Sequence, residues 1–282
     1  MVKRVMLDVV LIILGLFIVY IFLCFYLYFN QDKYIFFPEK RITAIPKTYR
    51  MEYEDIFIKT SDGVEINVWY IPKKDSPLII HCNGNGGNLS DRVEKFFLLH
   101  NLGFAVMGFD YRGYGNSGGK PSEWGFYEDL KKVVSLSEER GYKKENTILY
   151  GESIGGGVAL QIATEKDFSV LILESTFTSI QDMARIYYKL FPTSLLLKSK
   201  FDNLSKIKKI KTPVVIMHSK EDEIVPYFMG RILYENAKEP KLFLELEKGH
   251  NDGGIIVSKD AIKELKNFLE KRGQFEYSDV MW

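Results

Sequence analysis

A serine stands at the centre of a pentapeptide typical of a nucleophile held on a tight turn. Residues 150–157 read Y-G-E-S-I-G-G-G and contain G-x-S-x-G, with Ser153 as the central residue. A short apolar run precedes the motif and a small-residue run follows it, so the motif lies where a buried strand would become a helix. Gly151 and Gly155 leave room for a strained turn that holds the hydroxyl clear of the backbone. The motif predicts that Ser153 is an activated nucleophile.

A serine hydroxyl is a weak nucleophile near neutral pH, so it requires a base. Of the four histidines, His250 lies in the loop 247–252, which follows the last predicted strand and can fold over the strand ends. We predict that His250 is the base. His81 and His218 also lie near predicted strand ends, where a packed or loop-bonded histidine is the alternative interpretation. His100 ends an amphipathic helix, where a structural role is expected.

The base in turn requires an acid that orients the ring and stabilises its cation. The segment 218–226 follows the strand before the histidine strand and contains three carboxylates. We predict Asp222 as the acid, because a short side chain in a turn orients an imidazole better than an exposed glutamate. Glu221 and Glu223 are interpreted as solvated turn residues, although either is able to substitute in a damaged site. Asp110 is the rival by residue type, but its Gly- and Tyr-rich surroundings are typical of a residue that organises a loop.

Attack on a carbonyl builds negative charge on its oxygen, and preformed N–H donors stabilise that charge. The backbone N–H of Ile154, at the start of the helix after Ser153, is one predicted donor. The second is expected from the glycine-rich segment 83–88, with the N–H of Asn85 as our choice. A phosphate-binding loop is disfavoured, because Leu89 stands where G-x-G-x-x-G needs its third glycine and no G-K-S/T follows.

Short apolar runs alternate with helical patterns along most of the chain, which predicts strands buried on both faces of a mostly parallel sheet. A hairpin signal, 54–58 and 64–71 around the turn Ser61-Asp62-Gly63, precedes them. The remaining strands are predicted at 78–82, 105–109, 147–150, 170–173, 213–217 and 242–246. Helices are predicted at 91–101, 124–140, 154–166, 227–237 and 260–271. Each candidate chemical group follows a strand, and the carboxyl ends of parallel strands form one working edge.

An uninterrupted apolar and aromatic run at 9–29 is long enough to cross a hydrocarbon core of roughly 30 Å. We predict a transmembrane signal anchor, since a cleaved signal peptide has a shorter apolar region and ends at small residues. Lys3 and Arg4 precede the span, whereas Lys33, Lys40 and Arg41 follow it. The numbers of positive charges on the two sides of the span are thus nearly equal, so they determine the orientation only weakly. We expect the domain that follows the span on the non-cytoplasmic side.

The 282 residues, 46% hydrophobic with a formal net charge of +1, suit one large domain with an appendage. Without the first thirty residues, basic and acidic side chains are equal in number, so nucleic acid is not an expected partner. We divide the chain into an anchor (1–30), a connector (31–50), a catalytic domain (51–273) and a tail (274–282). The two cysteines indicate no disulfide framework, and the oligomeric state is not predicted.

At this point the chain resembles the α/β-hydrolase family, with G-x-S-x-G at 151–155 and the order Ser153, Asp222, His250. Within that family it resembles the membrane-anchored serine hydrolases of the Bem46, ABHD13 and ABHD17 type. The likeness rests on the anchor, the aromatic-proline segment 34–38, the loop 83–88 and the segment 110–117, and it covers nearly all the chain beyond the anchor. Asn83 departs from the histidine usual in these relatives, which affects the oxyanion loop rather than the triad.

The resemblance implies an α/β-hydrolase fold with an eight-stranded sheet and hydrolysis of carboxylic esters or thioesters without a cofactor. Lipids and acylated proteins are the implied substrates. A peptidase using the same triad and a catalytically silent membrane-bound scaffold are the alternatives. Only about 40 residues separate the strands at 170–173 and 213–217, so we expect a minimal cap and a shallow, open site. In that insert, the apolar segment 191–197 either lines an acyl pocket, faces lipid or packs as ordinary core.

Overall fold

The computed structural model describes residues 2–251 and 259–271. Its main sheet has eight strands in the order β10-β9-β8-β7-β4-β6-β3-β2. Every neighbouring pair is parallel except those that β3 makes with β2 and β6. The strands are β2 (Glu54–Lys59), β3 (Glu65–Ile71), β4 (Leu78–Cys82), β6 (Ala105–Phe109), β7 (Thr147–Glu152), β8 (Val170–Glu174), β9 (Val214–Ser219) and β10 (Lys241–Leu246). The predicted hairpin and mostly parallel eight-stranded sheet are confirmed.

Five longer helices cover the sheet: α3 (Val93–Asn101), α4 (Glu123–Glu139), α5 (Ile154–Ala163), α9 (Tyr227–Asn236) and α10 (Lys259–Glu270). Alternate residues of the central strands point to opposite faces, and two separate apolar cores result. Ile80 and Leu149 pack with α4, α5 and α9, whereas Ile79 and Ile148 pack with α3 and α10. This two-sided burial explains why the strands are continuous apolar runs.

Element ends differ from the predicted ones by a few residues. Strand β7 runs on to Glu152, so the turn at Ser153 is a direct strand-to-helix junction. Helix α5 ends at Ala163, three residues before the predicted end, and the Thr164 hydroxyl donates to the carbonyl of Gln161. The start predicted at residue 91 belongs instead to a 3-10 turn, Leu89–Arg92, capped by the side chain of Asn88.

The first helix, α1 (Val2–Asn30), has a mean hydropathy of 3.0 over its most apolar window and is almost entirely exposed. It satisfies the length and composition of a membrane span, as the apolar run at 9–29 predicts. The short helix α2 (Asp32–Ile35) follows it. A two-residue strand, β1 (Phe37–Pro38), then pairs with β5 (Gly86–Gly87). The connector is therefore attached to the glycine-rich loop.

The cap is the insert between β8 and β9. It contains α6 (Ile180–Tyr187), α7 (Thr193–Leu196) and α8 (Asn203–Ile207). Helix α1 contacts this insert, since the Tyr20 hydroxyl donates to the Leu190 carbonyl at 2.8 Å and the Gln31 amide donates to the Leu196 carbonyl at 3.0 Å. The cap is small, as expected, and one side of it lies against the apolar helix. The division of the chain into four segments remains a prediction, and the tail 274–282 lies outside the described residues.

Candidate active site

Ser153 occupies a strained backbone conformation between β7 and α5. Its φ is 53° and its ψ is −118°, a region that costs a non-glycine residue about 1–3 kcal/mol. The surrounding structure holds it there: its N–H donates to the Glu174 carbonyl at 2.8 Å, and its carbonyl accepts from the Thr176 hydroxyl at 3.1 Å. The turn presents the Ser153 side chain at the carboxyl edge of the sheet.

The two glycines of the pentapeptide are required by close backbone packing. A Cβ on Gly155 would lie 2.1 Å from the carbonyl oxygen of Cys82, at the end of β4. A Cβ on Gly151 would lie 2.5 Å from the Cα of Gly156. Helix α5 thus starts in direct contact with β4 and β7, and this contact fixes the position of the serine.

The three predicted residues form one chain of contacts. His250 Nε2 lies 3.2 Å from Ser153 Oγ, and His250 Nδ1 lies 2.8 Å from Asp222 Oδ2. Ser153 follows β7, Asp222 follows β9 and His250 follows β10, so three strand ends supply the group. This is the geometry of a nucleophile, a base and an orienting acid. Their roles in catalysis remain a prediction.

Asp222 is buried and surrounded by donors. Its Oδ1 accepts from the backbone N–H of Ile224 at 3.0 Å and of Val225 at 2.7 Å. Burial opposes the charged form, but the hydrogen bonds from His218 and His250 outweigh it and hold the pKa of Asp222 well below its usual range. The carboxylate is therefore ionised in the folded protein near neutral pH, as the role of an orienting acid requires.

The alternative residues have other positions. His218 is fully buried; its Nε2–H donates to the Val225 carbonyl at 2.8 Å and lies 3.3 Å from Asp222 Oδ2, so it is a neighbour of the acid. Glu223 accepts from the backbone N–H of His250 at 3.0 Å. Asp110 accepts from the N–H of Leu89 at 2.9 Å, at the foot of the glycine-rich loop. The support that His218 and Glu223 give to the triad was not visible in the sequence.

The predicted oxyanion donors lie on two sides of Ser153. Ile154 is the first residue of α5, where a helical N–H has no partner within the helix. Asn85 lines the same groove as Ser153, and its side chain fixes the loop: Oδ1 accepts from the Tyr114 hydroxyl at 3.1 Å and the amide donates to the Ile35 carbonyl. Gly84, Gly86 and Gly87 of the same loop also line the groove. The assignment of both N–H donors remains a prediction.

Asn83, the departure from the related hydrolases, is buried below this loop. Its amide donates to the Phe109 carbonyl at 2.9 Å, and its Oδ1 lies 2.9 Å from Nδ1 of His81. Burial and the nearby Lys95 lower the pKa of His81 to about 3, so this ring is neutral. Asn83 anchors the loop to the core through its side chain, and the change from histidine does not remove a group from the triad.

A buried network of charged side chains lies behind the elbow, and no local pattern in the sequence indicates it. Lys95 Nζ lies 2.6 Å from Glu152 and 3.1 Å from Glu174, and the Tyr150 hydroxyl donates to Glu174. Burial opposes charge on Glu152, but Lys95 and then Arg92 outweigh it and lower the pKa of that carboxyl. Glu152 directly precedes Ser153 in the chain. The network ties α3 to the ends of β7 and β8, which carry the nucleophile.

A groove of about 1170 Å³ extends from the triad, which exceeds the roughly 300–1,000 Å³ of most small-molecule pockets. Ser153 and His250 line it, and the cap forms one wall. The connector and the last turns of α1, including Leu27, form another wall. The connector and α1 thus provide a wall that the short cap alone does not, and how shallow and open the site is remains a prediction.

The cap segment 191–197, for which an acyl pocket, a lipid-facing surface and ordinary core were the alternatives, contributes to the groove. Phe191, Thr193, Leu196 and Leu197 line the groove, whereas Leu195 is 79% exposed. The segment is thus divided between a groove wall and an outward apolar surface, and it is not ordinary core.

Several known proteins are similar to this chain in sequence or in fold. Residues 74–206 match a family model described as serine aminopeptidase, S33. The chain is 33% identical over 222 residues to protein bem46 of Schizosaccharomyces pombe, covering 71% of this chain and 73% of that protein. It is 32% identical over 267 residues to the lysophosphatidylserine lipase ABHD12 of Rattus norvegicus, and the match covers 76% of this chain and 66% of that protein. The esterase Pf2001 of Pyrococcus furiosus has a similar fold, with a TM-score of 0.65 and 22% sequence identity. The match covers 84% of this chain and 97% of the esterase.

Proposed function

Since the chain belongs to the α/β-hydrolase family, we propose that it is a membrane-anchored serine hydrolase that cleaves carboxylic esters or thioesters through an acyl-enzyme. The observation that carries this proposal is the chain of contacts from Ser153 through His250 to Asp222, in which Ser153 and His250 line an apolar groove. Hydrolase activity itself is supported by the family and by esterase and lipase relatives.

The mechanism follows from the contacts. His250 Nε2 accepts the proton of Ser153 Oγ as the oxygen attacks the acyl carbonyl, and Asp222 stabilises the imidazolium that forms. The tetrahedral intermediate collapses when His250 returns the proton to the leaving alcohol or thiol, which leaves the acyl group on Ser153. A water molecule then gives its proton to His250 and attacks the acyl-enzyme. The products are the carboxylic acid and the restored serine.

We propose that the backbone N–H groups of Ile154 and Asn85 stabilise the negative charge that develops on the carbonyl oxygen. Each such donor is typically worth about 10² to 10³ in rate. The Asn85 side chain is held by Tyr114 and by the Ile35 carbonyl, so its backbone is positioned before substrate binds. Prior positioning matters because no reorganisation is then needed in the transition state.

The shape of the groove favours a substrate with an apolar acyl chain. Its walls are built from side chains such as Met183, Phe191 and Leu196, and apolar surface of this kind favours hydrocarbon over polar peptide. The name of the ABHD12 relative states a lipase activity, which is consistent with this interpretation. The groove by itself is equally suited to an ester and to a thioester.

A peptidase is the second candidate, because the matching family model is described as a serine aminopeptidase. An aminopeptidase needs a free carboxylate for the substrate amine. Among the residues that the structure describes, three carboxylates line the groove, and each has partners: Glu39 accepts from two backbone N–H groups, Asp91 from that of Asn88, and Glu152 from Lys95. This engagement favours the ester or thioester substrate.

The test is labelling of the detergent-solubilised protein with a fluorophosphonate. We expect wild type to be labelled and Ser153→Ala to be unlabelled, while Ser194→Ala, which changes an exposed cap serine, is labelled like wild type. Turnover of an acyl ester should fall by several orders of magnitude in Ser153→Ala alone. A folded wild type that does not react would favour the silent scaffold. A panel of esters, thioesters and aminoacyl amides then separates the two enzyme candidates, and faster cleavage of the amides would favour the peptidase.

A further inference from the structure

The cap is attached to α1 well inside the apolar part of the helix. The Tyr20 hydroxyl donates to the Leu190 carbonyl at 2.8 Å, and the Tyr20 ring stacks on Phe191 with 5.9 Å between centroids. Nearer the end of the helix, Gln31 bonds to the backbone of Leu196 and Lys198. The cap therefore contacts α1 along about three turns of the helix and not just at the end of the helix.

The position of Tyr20 determines the depth of this contact in a bilayer. Helix α1 has 29 residues and is about 43 Å long, so no more than about 13 Å of it extends beyond a hydrocarbon core of roughly 30 Å. Tyr20 lies about 15 Å along the helix from its last residue, Asn30. A helix that spans the bilayer thus places Tyr20 within the hydrocarbon, and the cap residues bonded to it lie at or below that boundary.

The outward surface of the cap fits such an environment. Leu190 is 84% exposed and Leu195 is 79% exposed, and both lie next to the residues that contact α1. Exposed lysines flank this apolar surface at 189, 198 and 200. Apolar side chains with lysines on either side are typical of a segment that enters the edge of a bilayer, because the amines reach anionic headgroups.

The groove reaches the same region. Its lining includes Ser153 and His250 as well as Leu27 of α1 and Gln31, the residue that follows that helix. The cap residues Phe191 and Leu196 line it on the way. The groove that contains Ser153 is thus also walled by α1 and by the cap, at the depth where the hydrocarbon begins.

We propose that the cap segment 190–197 is a second membrane-inserted element beside α1, and that the groove takes the acyl chain of a bilayer lipid directly from the membrane along the wall that α1 and the cap form together. This inference rests on the proposed function for its chemistry, while the insertion of the cap stands on the contacts with α1. The ester or thioester bond then meets Ser153 without the acyl chain crossing water.

The insertion is tested on the full chain in vesicles of phosphatidylcholine and phosphatidylglycerol. Leu195→Cys is labelled with an environment-sensitive fluorophore, with Phe57→Cys on the edge strand β2 as the matched control. Both native cysteines are buried, so the introduced ones are labelled selectively. We expect the label at 195 to be blue-shifted and quenched by acyl-brominated lipids, and the label at 57 to be unaffected. Equal, water-like emission at both positions would overturn the insertion.

The access route is tested by kinetics. Leu190→Glu and Leu195→Glu place charge on the outward cap surface and change no groove-lining side chain, and Phe57→Glu is the control on an equally apolar exposed site. We expect both cap variants to hydrolyse a water-soluble butyrate ester within about twofold of wild type. Hydrolysis of a palmitate ester held in vesicles should fall tenfold or more, and the control should lose neither. Equal loss on both esters, or loss on neither, would contradict the route.

The failures of the two proposals are distinguishable. A wild type that is labelled by a fluorophosphonate and cleaves butyrate, but leaves vesicle-bound palmitate intact, overturns the lateral route and leaves the hydrolase standing. A wild type that does not react with the probe and cleaves neither ester overturns the function. The fluorescence of the label at 195 reports the cap position in either case.

Discussion

At the scale of single residues, Asp222 is the most heavily supported group of the site. Two backbone N–H groups fix one of its oxygens, and His250 and His218 lie beside the other. Its lowered pKa follows from these donors. A carboxylate held in this way keeps the His250 ring in the orientation that places Nε2 at Ser153.

We expect Asp222→Asn to lower turnover by about 10⁴-fold with little change in binding, because the amide cannot stabilise an imidazolium and selects the wrong tautomer. The measurement is kcat and KM for an acyl ester, with Glu221→Gln as the control at the exposed neighbour. Thermal unfolding of both variants checks that the fold is intact. A loss of less than tenfold in folded Asp222→Asn would remove it from the triad.

At the scale of elements, the junction of β4, β7 and α5 sets the position of the nucleophile. Gly155 allows α5 to begin against the Cys82 carbonyl, and Lys95 joins α3 to Glu152 and Glu174 from the other face. Burying a charge network is costly unless every partner is present. The elbow is therefore held by close packing on one side and by paired charges on the other.

Gly155→Ala should destabilise the domain by at least about 3 kcal/mol, because the added carbon would meet backbone that cannot rotate away. The unfolding midpoint should then fall by roughly 6 °C or more. Gly86→Ala is the control, since its Cβ would meet nothing within 4 Å, and its midpoint should stay near that of wild type. Equal midpoints for the two variants would show that the tight contact is absent.

At the scale of the whole molecule, the chain consists of a helix long and apolar enough to span a membrane and a hydrolase domain whose groove reaches that helix. The connector is part of the domain as well as a link, because Phe36 is buried against Phe126 and β1 pairs with β5. These contacts restrict how the domain is oriented at the bilayer. The proposed orientation puts the domain on the non-cytoplasmic side, with Lys3 and Arg4 inside.

This orientation predicts that a cysteine introduced at the exposed Phe57 reacts with a membrane-impermeant maleimide in intact cells. Wild type should remain unlabelled, because Cys24 and Cys82 are both buried. Permeabilised cells give the total reactive protein for each sample. Labelling of Phe57→Cys only after permeabilisation would place the domain in the cytoplasm and reverse the proposed topology.

Local patterns in the sequence determined the elbow, the apolar helix and the eight strands, because glycine turns, helix length and two-sided burial are each read from neighbouring residues. The order of strands brought Asp222 to His250 as expected for the fold. Only the tertiary structure decided the pairing of Lys95 with Glu152 and Glu174, 57 and 79 residues away. It also decided that α1 and the connector line the groove. Such contacts join distant segments whose local patterns carry no signal of one another.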